Sequence, residues 1–165
     1  MNHDTTQLIT TLSEKGELLR EMKGLLQEEQ ACMIALDLEA LECNQQQIGR
    51  TMERMAQVSE SCKSMIAALG SGLGLSDTAT LSPVIERLPP SQQVTLRELQ
   101  QRVTADSREL SGALTLNRGL IEDSLKVVQH SVNFFNRLFN PVDTYGVAGS
   151  LVSRRGGSHF VCKEI

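Results

Sequence analysis

The sequence predicts an all-α fold, an elongated antiparallel helical bundle or coiled coil of long helices with an irregular C-terminal tail. Aromatic residues make up only 3% of the 165 residues, and there is no tryptophan, whereas β-strands favour aromatic and β-branched side chains. Good helix formers such as leucine, glutamate, glutamine and methionine dominate instead. Apolar residues also recur at alternating steps of three and four, which is the period of an amphipathic helix.

Proline positions set the limits of the predicted helices, because proline breaks a helix interior. The four prolines are Pro83, Pro89, Pro90 and Pro141. Together with the apolar period they predict four helices, over about 4–36, 38–69, 83–88 and 91–139. We therefore expect a helical domain over residues 1–140 and a glycine-containing tail over residues 141–165.

The first two predicted helices meet where the apolar pattern changes phase. Leu36 and Leu41 are five residues apart, a slip that a helix absorbs by unwinding or kinking. Asp37 stands in the gap and is a good residue to cap a new helix. Because neither glycine nor proline is present there, we expect a bend rather than a reversal of the chain.

This bend leaves the start of the first helix without a neighbour. We expect the long helix to fold back at the connection over 70–90. Because all α-helices rise equally per residue, it then runs antiparallel to residues 69 down to about 20. An uncovered apolar stripe then remains near the N-terminus, and such a stripe indicates an interface. The stripe consists of Leu8, Leu12 and Leu19.

The aromatic residues are concentrated at the other end of the chain. All five lie in the last 32 positions: Phe134, Phe135, Phe139, Tyr145 and Phe160. The antiparallel register brings the phenylalanines of 134–139 near the uncovered stripe. Since aromatic side chains are enriched at binding hot spots, this predicts a groove for an amphipathic partner helix. The alternative is a bundle end capped by phenylalanine side chains.

Composition and spacing argue against most other classes of function. The net charge of −4 is unfavourable for a nucleic-acid partner, which requires a basic face. The four cysteines form no C-x-x-C pair and have no histidine at a ligand spacing. We therefore predict no metal, no cofactor and no catalytic residue, and hence no enzyme. His130 lacks the H-x-x-K-G context of a phosphate-accepting helix, because Asn133 and Phe134 follow it.

The N-terminal residues give no sign of export or membrane insertion. MNHDTTQLITTL lacks both a basic segment and a long apolar run, unlike a signal peptide. No stretch approaches the ~20 apolar residues that cross a bilayer. A cytoplasmic protein without membrane insertion is expected.

Several short motifs in order resemble the FlgN-type flagellar secretion chaperones. LDLEAL at 36–41 is similar to the D-x-x-A-L step between the first two helices of that family, and RLP follows at 87–89 in the connection. NRGLIEDSL at 117–125 is similar to the family's N-x-x-L-I-x-x-S-L, and YGVAG at 145–149 to its Y-x-x-x-G. The resemblance covers most of the chain.

The resemblance implies a small acidic chaperone of the cytoplasm. Such proteins bind the C-terminal amphipathic helices of the hook–filament junction proteins, FlgK- and FlgL-like subunits. They prevent premature assembly and deliver these subunits to the type III export gate of the flagellum. Binding in the family maps to the end of the long helix and the tail. Transferred to this chain, the partner-binding residues are Val128, Val132, Phe135, Leu138, Phe139 and Tyr145.

Two other classes remain open from the sequence. A structural or adaptor protein would associate with itself through the same apolar stripe, and whether the chain forms a homodimer is not decided by the pattern. A helical signalling domain would use His130.

Overall fold

The computed structural model describes residues 3–76, 80–139, 143–145 and 151–153. The described elements are four helices and a pair of short strands, in the order α1 His3–Ala35, α2 Leu38–Gly72, α3 Leu81–Arg87, α4 Pro90–Phe139, β1 Asp143–Tyr145 and β2 Leu151–Ser153. The predicted all-α class with long bundled helices is confirmed. The antiparallel strand pair, with Tyr145 opposite Leu151, is a feature that the sequence analysis did not predict.

The chain divides into two compact units, Met1–Leu120 and Ile121–Ile165. The first unit contains α1, α2, α3 and the first part of α4. The second contains the rest of α4 and the two strands. The division into 1–140 and 141–165 that the sequence suggests stays a prediction.

The predicted bend between α1 and α2 is wrong, because the chain reverses completely there. Leu36 takes a left-handed conformation with φ 55°, and its N–H donates to Met33 O while Asp37 N–H donates to Cys32 O. This pair of hydrogen bonds is the Schellman motif that ends helices. Asp37 then caps α2 as predicted, since its side chain accepts a hydrogen bond from Ala40 N at 3.0 Å.

Side-chain contacts show the relative directions of the three long helices in the first unit. Asn44 donates to Leu25 O and Thr51 donates to Glu21, so α2 runs antiparallel to α1. Asp106 pairs with Arg20 at 2.8 Å, and further along the chain Glu109 pairs with Lys23 at 2.7 Å. Helix α4 therefore runs parallel to α1, not antiparallel to it as the bend had implied.

The N-terminal apolar stripe is consequently covered, which corrects a second expectation. Leu8, Leu12 and Leu19 are all buried. Leu8 and Leu12 belong to a core cluster that also contains Val84 and Ile85 of α3. Because this stripe is buried, the prediction that the phenylalanines of 134–139 lie beside an open N-terminal stripe is wrong.

The core of the first unit is built from apolar side chains of all four helices. Each fully buried leucine, isoleucine or valine contributes roughly 1.5–3 kcal/mol relative to an exposed one. Burial also raises the pKa of the Cys62 thiol, which keeps this side chain neutral among its apolar neighbours. The larger cluster comprises Leu8, Leu12, Leu18, Val58, Cys62, Leu69, Val84, Ile85, Leu88, Leu96 and Leu99.

A buried polar contact joins the three long helices. The Asn117 side chain donates to Glu29 at 2.5 Å and to Leu26 O at 3.1 Å, and it accepts a hydrogen bond from Gln30. Glu29 also accepts from Gln45 on α2 at 3.3 Å. Because a buried carboxylate is costly without such donors, this contact fixes the register of α1, α2 and α4.

Replacing Leu36 with glycine is expected to stabilise the first unit. A left-handed conformation is unfavourable by roughly 1–2 kcal/mol for a residue with a Cβ, and glycine removes this strain. Part of the gain in stability is offset because glycine has greater conformational freedom in the unfolded chain. We expect Leu36→Gly to raise the free energy of unfolding by about 0.5–1 kcal/mol in urea denaturation. Leu38→Gly is the matched control, because Leu38 is an exposed residue of the first turn of α2. This change should lower the free energy of unfolding by no more than about 1 kcal/mol. Equal destabilisation by both variants would contradict the strain at Leu36.

Candidate partner-binding surface

Large apolar side chains of α4 form a regular seam over residues 121–139. They follow each other at steps of four and three, the a/d spacing that lets a helix pack lengthwise against another helix. We name this set the main seam: Ile121, Leu125, Val128, Val132, Phe135 and Phe139.

A second, shorter row lies beside the main seam on the same segment. At 100° per residue, its members lie about 80–120° around the helix from Val128. We name it the side seam: Val127, Phe134 and Leu138. Together the two seams occupy about half of the helix circumference.

These side chains are exposed, whereas some apolar residues earlier in the same helix are buried. Leu96 is 0% and Leu110 is 6% exposed, whereas Phe135 is 53% and Phe139 is 72% exposed. Earlier in the chain the stripe packs against α1, where Leu110 clusters with Leu19 and Leu26 and Asn117 hydrogen-bonds to α1. Exposed apolar surface of this extent is typical of interaction sites.

The phenylalanine rings of the segment are already arranged in contact with one another. Phe135 and Phe139 stack with ring centroids 6.1 Å apart and planes inclined by 12°. Phe134 meets Phe135 edge to face at 5.6 Å. Such pairs are favourable by ~0.5–1.5 kcal/mol beyond area burial, so the rings present a partly ordered apolar surface before any partner binds.

Charge is scarce around the later part of the seams. Residues 127–139 contain a single charged side chain, Arg137, if His130 is neutral. Slightly earlier, Lys126 donates to Asp123 at 2.8 Å, and this hydrogen bond raises the pKa of the lysine above its ordinary value. A partner at residues 127–139 would therefore be recognised by apolar packing and not by ion pairs.

Five of the six residues predicted for partner binding lie on this surface. Val128, Val132, Phe135 and Phe139 belong to the main seam, and Leu138 belongs to the side seam. Tyr145 lies in β1, and its side chain is outside the described residues. Their role in binding stays a prediction.

The six residues predicted from the family resemblance leave out four exposed residues of this surface. Ile121 and Leu125 complete the main seam, while Val127 and Phe134 complete the side seam. The heptad spacing of the seam was the signal that could have found the first two.

Other kinds of site find little support in the described part of the chain. No group of three or more histidine, cysteine, aspartate or glutamate side chains there could hold a metal ion. None of the helices described is long and apolar enough to cross a membrane. His130 is exposed on α4, as is His3 on α1, and His159 is outside the described residues.

A helical bundle whose last long helix exposes an apolar seam has the features of a protein that binds other proteins through helix packing. The chain belongs to the FlgN family, since the sequence model of that family, described as FlgN protein, matches residues 1–153. Comparison with curated proteins and with solved structures finds no match. The family is one of flagellar export chaperones, which assigns the chain that kind of role.

Proposed function

We propose that this protein is a cytoplasmic flagellar export chaperone that binds the C-terminal amphipathic helices of hook–filament junction proteins. It keeps these subunits from assembling early and delivers them to the type III export gate. The observation that carries the proposal is the exposed main seam from Ile121 to Phe139. Membership of the FlgN family supports the proposal, because that family is one of flagellar export chaperones.

Binding follows from the spacing of the seam. A client helix with its own apolar stripe packs lengthwise against α4 and completes a coiled coil. The client stripe is then shielded from the neighbours with which it would otherwise polymerise. We propose that the contacting residues are Val128, Val132, Phe135, Leu138, Phe139 and Tyr145.

The expected affinity suits a chaperone that must release its client. Each buried phenylalanine or leucine contributes roughly 1.5–3 kcal/mol before costs. Lost translational and rotational freedom costs ~4–15 kcal/mol, so much of the gross gain is offset. With few charges in residues 127–139, there is little electrostatic attraction to prolong the complex.

Self-association is the second candidate, and one observation favours it. The positions that flank the main seam include Gln129, Ser131 and Asn136, none of which would repel a second copy by charge. A structural or adaptor role predicts an average mass in light scattering that rises with concentration in the absence of a client. A chaperone with an open seam predicts a constant mass under the same conditions.

Calorimetry with a junction protein from the same genome tests the proposal. We expect the full chain to bind the whole junction protein in a saturable complex and to show no heat with a junction protein that lacks its C-terminal helical segment. Equal binding of the shortened client would overturn the proposed recognition, and so would absence of binding to the whole client.

A further inference from the structure

The width of the exposed apolar surface on residues 121–139 exceeds what one helix covers. A stripe of about 100° is enough to pack a helix against a core, and a single a/d seam is narrower still. Main seam and side seam together span about 180° of α4. All nine of their side chains are exposed.

The strip between the two seams is suited to burial. Ser131 lies there, and its hydroxyl donates to the backbone oxygen of Val127 at 2.9 Å. Because this hydroxyl already has a hydrogen-bond partner in its own helix, covering it leaves no donor unsatisfied. Its small side chain also lets two neighbouring helices approach each other above it.

The opposite half of the segment is polar throughout. Lys126, Gln129, His130, Asn133 and Arg137 occupy it, and all are exposed. The boundary between the halves is therefore sharp. The extra apolar row is a feature of one half of the helix, not a scatter of single exposed residues, which would be normal for any surface.

We infer that the client segment presents two helices side by side, one in the main seam and one in the side seam. Residues 121–139 then become the third helix of a small bundle. This inference rests on the proposed function and specifies the shape of the segment that the same site accepts.

The side seam could be covered by a helix of the client segment or by a second copy of this chain. The exposed apolar area of the side seam distinguishes the two. Val127, Phe134 and Leu138 are 65%, 61% and 58% exposed. Even if each of the three counted as a whole aromatic side chain of ~150–250 Å², together they would offer no more than about 460 Å². A stable interface between separate proteins needs about 800 Å² from each partner. The helix in the side seam must therefore be tethered to the one in the main seam, since tethering makes its binding intramolecular.

The test compares two probes cut from the C-terminus of one junction protein. One contains only its last helix, and the other also contains the helix that precedes it. We expect the wild-type chain to bind the two-helix probe at least tenfold more tightly in calorimetry. Light scattering should give one chaperone and one probe in the complex. Equal affinities, or two copies of either component in the complex, would overturn the inference.

One substitution separates the side seam from the main seam. Val127→Lys places a charge in the side seam, away from the rings, and Asp123 one turn earlier favours it as an i,i+4 partner. It should lower the affinity for the two-helix probe roughly tenfold and change the affinity for the one-helix probe less than twofold. Asn133→Lys adds the same charge to the polar half and should change neither. Equal effects of Val127→Lys on both probes, or no effect on either, would contradict two separate seams.

Failure of the inference is distinguishable from failure of the proposed function. If wild type binds both probes with one affinity, the chaperone role stands and the two-helix shape is rejected. If wild type binds neither probe nor the whole client, the proposed function is rejected, and this inference is rejected with it.

Discussion

Leu96→Ala is expected to lower the free energy of unfolding by about 2–5 kcal/mol, the range for leucine-to-alanine changes in well-packed cores. Leu96 is completely buried and belongs to the cluster in which α1, α2 and α3 meet α4. The loss includes the transfer of the missing methyl groups and the cavity that rigid neighbours cannot fill. Chemical denaturation followed by circular dichroism measures it.

Leu116→Ala is the matched control for this prediction. It removes the same atoms from the same helix, but Leu116 is more than half exposed. Its effect should stay within about 0.5 kcal/mol, as for most surface changes. If both variants lost the same stability, the core would not lie where the structure places it.

The sequence predicted the helices well because their signals are local. Proline positions and a period of three and four are properties of neighbouring residues, and helix formation responds to the same local properties. Asp37 was identifiable as a cap for the same reason. The all-α class followed from these signals together with the scarcity of aromatic residues.

The reversal between α1 and α2 could not be predicted in this way. Left-handed residues that end a helix are usually glycine or asparagine, and here the position is occupied by Leu36. The packing of α1 against α2 and α4 holds the turn despite its local cost. Tertiary contacts thus outweighed the unfavourable left-handed conformation of leucine. The predicted register of α4 was wrong because it assumed a bend at this position.

The buried contact between Glu29 and Asn117 left a trace in the sequence. Each polar residue interrupts an otherwise apolar stripe, one on α1 and one on α4. Two such interruptions on different helices can predict a pair that meets in the core, because a buried carboxylate needs donors. Such a pair gives one point of contact between α1 and α4, but not the relative direction of the two helices.

The candidate partner surface was predicted from composition, not from packing. Clustering of the rings at the end of the chain drew attention to residues 134–139, and the family resemblance pointed to the same region. Whether these side chains are exposed depends on how the folded chain packs, and the seam residues alone do not determine that.

Replacing Phe135 and Phe139 together with alanine is expected to weaken client binding at least about 100-fold. Each ring contributes roughly 1.5–3 kcal/mol when buried, and tenfold in affinity corresponds to ~1.4 kcal/mol. The two rings stack at 6.1 Å, so the double variant also removes a pair that is ordered before binding. Calorimetry with the C-terminal segment of a junction protein measures the change.

The control for the ring variant lies on the opposite half of the same helix. His130→Ala with Asn133→Ala removes two exposed polar side chains and should leave the affinity within about twofold. It also examines the signalling alternative, which requires His130. Because the seam side chains are uncharged, raising the salt concentration should change wild-type affinity little, whereas exposed ion pairs would be screened. Binding that survives loss of both rings but disappears in salt would place recognition on the charged surface instead of the seam.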